Sequence, residues 1–253
     1  MKIGVITITK SAYTTGLLLQ QTMENCVHHH SLEKGWLKAH MEFFFTQYEG
    51  LIFVMATGIV VRMIAPYIQS KYSDPAVVVV DDAQRYAISL LSGHEGGANG
   101  LASQVATILD AEAVITTASD TNRFRTIGIG CRKGTPAAQI KEAVEQTLDA
   151  HNIPLSSLRL GGSFEVKKIE AGLLGYFHEL AIPLKFYTKE EINHCPGEFQ
   201  DNPVSLRQLG VRAVAEPCAL LASRRGHLVL SKQIYKDVTI AVAEEEEEIR
   251  DKT

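Results

Sequence analysis

The chain has 253 residues, 45% of them hydrophobic and 21% charged, with a formal net charge of -4. That length can hold one large domain or two moderate ones, and the composition is that of a soluble globular protein. The net charge argues weakly against nucleic acid as the main partner, because phosphate neutralisation needs clustered Lys and Arg, and the apolar runs fall short of the roughly 20 residues of a membrane span.

Lys2 to Thr9 reads as a buried parallel strand with no leader before it, so a cytoplasmic protein is expected. Cys26, Cys131, Cys195 and Cys218 are too far apart for a CxxC site and read as isolated thiols. Thr14 to Cys26 has helical periodicity. His28, His29 and His30 read as a polar turn, since adjacent side chains diverge and no acidic or cysteine partner stands at ligand spacing. Leu51 to Ala56 is the second strong strand. Ile59 to Ile68 reads as a helix that kinks or restarts at Pro66. Ala76 to Val80 is a strand ending in Asp81 and Asp82, and Arg85 to Leu91 is its neighbour across a short turn. Gly93-His94-Glu95-Gly96-Gly97-Ala98-Asn99 then makes a glycine-rich turn into a helix from Gly96 to Leu109, and Ala113 to Thr117 closes the unit. Such turns are expected at the carboxyl ends of strands, where α/β domains bind ligands.

The pattern breaks at residues 119–125, and a fresh unit begins with strand Thr126 to Gly130. Ala137 to Ala150 is a helix with Thr135 or its neighbour as cap and Pro136 at the first helical position. The unit continues with Leu158 to Leu160, then a helix near Ile169 to Leu180, strand Leu184 to Tyr187 and a short helix begun by Thr188. A helix around Pro217 and strands Leu228 to Ser231 and Val238 to Val242 complete the unit. Glu244 to Glu248 is a self-repelling run expected to fray into solvent. The expected fold is two layered α/β domains, residues 1–122 with a mostly parallel sheet and residues 123–253 as a smaller α/β domain with an acidic tail.

Several stretches resemble the cobalt-precorrin-5A hydrolase family (CbiG proteins). They are Gly58 to Arg62, Ile64-Ala65-Pro66, Lys71, Asp74 to Asp81, Ile88 to Asn99 and Thr116-Thr117-Ala118-Ser119-Asp120 in the first unit. In the second they are Gly128-Ile129-Gly130-Cys131-Arg132-Lys133-Gly134-Thr135, Ser163 to Lys167 with Glu170 and Gly172-Leu173, and Val214 to Leu220. The chain departs from the family in lacking most of its variable middle region, passing almost directly from Asp120 to Thr126. The resemblance implies hydrolysis of the δ-lactone of cobalt-precorrin-5A, with release of acetaldehyde, to give cobalt-precorrin-5B in anaerobic cobalamin biosynthesis. It implies water as co-substrate and cobalt carried by the substrate, with no dissociable cofactor and no protein metal site. A homodimer and transient contact with neighbouring pathway enzymes stay open. The alternatives are a non-catalytic cobalt-tetrapyrrole-binding or pathway-assembly protein, and a phosphate-binding enzyme, although GxGxxG and GxxxxGK[ST] are both absent.

For that reaction the catalytic candidates are His94, Asp81 and Glu95. His94 can carry a proton to or from water or the leaving oxygen. Asp81 is open to two readings, a water-activating carboxylate or the acidic turn of a β-connection; Glu95 orients His94 or is simply exposed. Gly96 and Gly97 expose backbone N–H groups at a helix start, suited to a substrate carboxylate or an oxyanion, with Asn99 as a further donor or a helix-stabilising polar residue. Arg62 and Lys71, and in the second unit Arg132, Lys133, Thr135 and Lys167, are candidate carboxylate ligands. Cys131 is open to acidification by its basic loop, but the hydrolysis needs no thiol. Glu165 and Lys167 are expected on one strand face, and Glu216 as a helix-terminus anchor.

Overall fold

Short apolar runs rich in Ile and Val become the centre of the first sheet. β1 (Ile3–Thr7), β3 (Gly50–Val54) and β4 (Ala76–Val80) are buried at every position, as strands covered on both faces must be. With β2 (Cys26–His30), β5 (Tyr86–Leu91) and β6 (Glu112–Val114) they form a six-stranded sheet of order β2-β1-β3-β4-β5-β6. Neighbours run parallel except β4 and β5. The computed structural model describes residues 1–94, 96–117, 123–199, 203–223 and 225–245. The chain divides into two units, Met1–Thr117 and Ala118–Thr253.

α1 (Lys10–Thr22) and α4 (Ala98–Leu109) cover one face of this sheet, packing Leu19, Leu101 and Val105 against Val5, Ile52 and Val78. α2 (Trp36–Gln47) and α3 (Thr57–Ile64) cover the other, with Met41, Phe44 and Val60 against Ile6, Phe53 and Val79. Two expectations change here. The three histidines form an edge strand rather than a turn, because β1 supplies parallel backbone partners along their whole length. The helix at Ile59 ends at Ile64, and Ala65–Tyr67 tightens into a 3₁₀ turn around Pro66, which lacks the N–H that an α-helix would use.

The second unit carries a smaller, five-stranded sheet of order β10-β11-β7-β8-β9. Its strands are β7 (Arg125–Cys131), β8 (Leu158–Phe164), β9 (Leu184–Tyr187), β10 (His227–Tyr235) and β11 (Val238–Glu244). β7, β8 and β9 run parallel, while β11 joins β7, and β10 joins β11, antiparallel. α5 (Ala137–Ala150) and α6 (Ala171–Leu180) pack Val144 and Phe177 onto the Ile127 and Ile129 face. α7 (Lys189–His194) has the Thr188 cap, closed reciprocally by Glu191. After α8 (Pro203–Leu209), α9 (Ala215–Ala222) lies on the opposite face. A Cβ on Gly128 would stand 1.8 Å from the Ala215 carbonyl oxygen, so α9 rests on bare backbone.

Three details of the second unit differ from expectation. Pro136, not Thr135, is the N-cap of α5; the Thr135 hydroxyl turns back and donates to the Arg132 carbonyl at 2.9 Å. β8 runs on to Phe164, so Glu165–Lys167 form a 3₁₀ turn instead of sharing a strand face. The acidic run does not begin free in solvent: Glu244 ends β11 and pairs with Arg125 at 2.8 Å, and buried Glu245 pairs with Arg159. Glu246, Glu247 and Glu248 lie outside the described residues.

Candidate functional site

The single antiparallel step between β4 and β5 decides which motifs share an edge. The glycine-rich turn leaves the carboxyl end of β5 and leads through α4 to β6, parallel to β5. It therefore sits at the carboxyl ends of that pair, as expected, but beside the amino ends of β3 and β4. The tightness of the turn explains its glycines. A Cβ on Gly96 would lie 2.5 Å from Ser92 Cβ, and Gly97 has a φ of +86°. Asn99 closes the turn, accepting from Ser89 Oγ at 2.8 Å and donating to Thr117 Oγ1 at 2.9 Å. The glycine-rich stretch and the Thr116-Thr117 stretch thus meet through one side chain. Ser92 Oγ adds a bond to the Asp74 carbonyl at 3.1 Å. Asp74 in turn accepts the Gln69 and Ser70 N–H groups, which brings the loop of Lys71 to this edge.

His94 stands exposed in the turn, and Lys71 is exposed with its ammonium 4.8 Å above the Tyr72 ring. Glu95, Ala118, Ser119 and Asp120 lie outside the described residues. The expected open row of backbone donors is smaller than the motif suggests. The Gly96 and Ala98 N–H groups donate to the Ser92 carbonyl and that of Asn99 to Gly93. Among the described residues, the Gly97 and Gly100 N–H groups have no hydrogen-bond acceptor. Asn99 serves as the clasp of the turn.

Asp81 and Arg62 are elsewhere. Because β5 returns against β4, Asp81 lies at the far edge from His94, about 15–20 Å along the strands. Its carboxylate closes the β4–β5 turn, accepting from Arg85 N (2.8 Å), Arg85 Nε (2.9 Å) and Tyr86 N (2.9 Å). The acidic-turn reading describes it, and Asp81 is not brought to His94. Arg62 is exposed in the last turn of α3, its guanidinium folded back toward Gly58.

In the second unit the loop after β7 is held by a residue outside the candidate set, Glu170. Glu170, almost fully buried, accepts the Gly134 N–H at 2.7 Å and the Lys167 ammonium at 3.2 Å. Its spacing of three from Lys167, just after a strand, is the signal that could have found it. Lys167 is thereby occupied and mostly buried, and Thr135 is buried in the turn. Arg132 and Lys133 remain exposed, with Arg132 paired to Asp237 at 2.9 Å. Burial pushes the Cys131 thiol up, against the pull of Lys167, so the basic loop does not acidify it. Glu216 is buried in the first turn of α9 and accepts from Lys232 N at 3.2 Å, an anchoring role as expected. A separate pocket of about 390 Å³ is lined by Asn193, Cys195, Phe199, Arg212 and Pro217 among others, and none of the candidate site residues lines it.

Among the described residues, no three His, Cys, Asp or Glu side chains cluster as a metal set, and no helix is long and apolar enough to cross a membrane.

Comparison with known proteins covers both halves. The family described as Cobalamin synthesis G N-terminal matches residues 39–120, and Cobalamin synthesis G C-terminus matches residues 125–243. The cobalt-precorrin-5A hydrolase of Priestia megaterium is 28% identical over 297 residues, covering 79% of this chain and 79% of its own. That of Salmonella typhimurium is 27% identical over 290 residues, covering 78% and 82%. A solved structure of a cobalamin biosynthesis protein G homolog from Sulfolobus solfataricus is 22% identical, covering 96% of this chain and 97% of its own at a TM-score of 0.40. With each of its two units matched by the corresponding half, the chain belongs to the cobalamin synthesis G (CbiG) family.

Proposed function

We propose that the protein is a cobalt-precorrin-5A hydrolase, opening the substrate δ-lactone with water and releasing acetaldehyde to give cobalt-precorrin-5B. The observation that carries this reading is the presence of both family halves in one chain, with relatives of that name covering about four-fifths of it. The edge at the ends of β5 and β6 suits the chemistry. Attack of water on the lactone carbonyl creates an oxyanion, and the Gly97 and Gly100 N–H groups at the start of α4 are the donors available to it. His94, exposed in the same turn, moves a proton to or from water or the leaving oxygen. Lys71 reaches a peripheral carboxylate from the neighbouring loop. Scission of the adjoining carbon–carbon bond leaves its electron pair on the conjugated, cobalt-bearing ring, so no protein electron sink is required. In the second unit, Arg132 and Lys133 present cationic ends suited to ring carboxylates.

Anaerobically prepared cobalt-precorrin-5A incubated with the protein should yield acetaldehyde and the ring-opened product together. His94→Ala should lower kcat by about 100-fold or more while leaving KM nearly unchanged, because proton transfer matters in the transition state. Folded wild type that binds the substrate and releases no acetaldehyde would establish a binding protein instead. Normal turnover by His94→Ala would keep the enzyme and remove His94 from its mechanism.

A further inference from the structure

We propose that His28 and His30 together bind one divalent first-row transition-metal ion at the β2 edge of the amino-terminal sheet. Alternate residues of a strand share a face, so these two lie on the side covered by α1, while His29 turns the other way against Phe44 and Tyr48. Their ring nitrogens converge on a single atom. Thr7 Oγ1 stands 2.7 Å from His28 Nε2 and 2.8 Å from His30 Nδ1. The Thr7 side chain is fully buried and its hydroxyl holds one proton, so it can donate to only one of the two rings. The other ring can give its N–H to the same oxygen; in the tautomer that moves this proton to its far nitrogen, two imidazole lone pairs flank the hydroxyl and make a pincer for a cation.

The room for this pincer comes from a glycine inside α1. A Cβ on Gly16 would lie 2.2 Å from His28 Nε2. Glycine is among the least favourable residues of a helix interior, and here its missing side chain is replaced by the ring. The Tyr13 ring, with centroids 5.4 Å and 4.8 Å from the two imidazoles, roofs the site and is itself exposed, which leaves an entry from solvent. Two nitrogens with no third His, Cys, Asp or Glu among the described residues leave the other positions to water or Thr7. Imidazole without carboxylate selects Cu²⁺, Ni²⁺ and Zn²⁺ over Co²⁺ and Mn²⁺, and excludes Mg²⁺ and Ca²⁺.

Calorimetric titration of the full chain with Ni²⁺ and Zn²⁺ tests this, with paramagnetic broadening of histidine resonances by Ni²⁺ as a second readout. One equivalent is expected to bind, and His28→Asn or His30→Asn to weaken it by about tenfold or more. Gly16→Ala removes no ligand and favours the helix, yet should weaken binding by a comparable factor by displacing the His28 ring. Circular dichroism confirms that each variant is folded. Binding that survives unchanged in the folded double histidine variant, or none by wild type up to millimolar ion, overturns the proposal.

Discussion

At the scale of single residues, hydrogen bonds decide what a side chain is free to do. Burial works against ionisation of Asp81, yet the bonds from Arg85 and Tyr86 outweigh it and hold the carboxyl below the usual carboxylate range. A carboxylate with a lowered folded pKa stabilises the fold above the unfolded value, near pH 3.9, and that contribution is lost as pH falls through the folded value. Asp81→Asn is therefore expected to unfold at lower urea than wild type at neutral pH. The gap should close progressively below about pH 3.9 in urea titrations across pH. Gly97 carries a different constraint. At a φ of +86° any side chain strains the backbone, so Gly97→Ala should cost about 1–2 kcal/mol, read as a lowered Tm. The sequence showed that Asn99 belongs with the turn, but not that it joins Ser89 to Thr117. Those partners lie 10 and 18 residues away and meet only once β5 and β6 are paired.

At the scale of elements, the central strands were legible because burial on both faces demands unbroken apolar runs, and Ala76 to Val80 matches its expected limits. The direction of β5 was also within reach: the five residues between Val80 and Tyr86 cannot hold a parallel crossover. Followed through, that spacing separates Asp81 from His94. The histidine strand was hidden because three imidazoles carry no apolar alternation, and only pairing with β1 makes them extended. Glycine in β7 has its meaning in another element. Gly128→Ala would drive a methyl into the Ala215 carbonyl and to within 2.5 Å of the Ala219 nitrogen. Since α9 must lift from the sheet, a loss of about 1–3 kcal/mol is expected, measured by urea denaturation. An unchanged midpoint would mean that α9 yields without cost.

At the scale of the whole molecule, each unit has hydrophobic clusters of its own, with Leu19 and Phe44 in the first, and Phe177 and Cys218 in the second. Residues 118–253 expressed alone should therefore give a single cooperative unfolding transition by circular dichroism; a non-cooperative chain would show that its core needs the first unit. The Asn99–Thr117 bond has a consequence for how such a chain can change in length. It pins the last described residue of the first unit against the glycine-rich turn, so whatever follows Thr117 departs from that spot. An insertion directly after Thr117 would fall outside β6 and β7, and it would start from a residue held against Gly93. Evolution can thus lengthen or trim the junction and, by doing so, remodel the rim of one edge while the sheet beneath stays as it is.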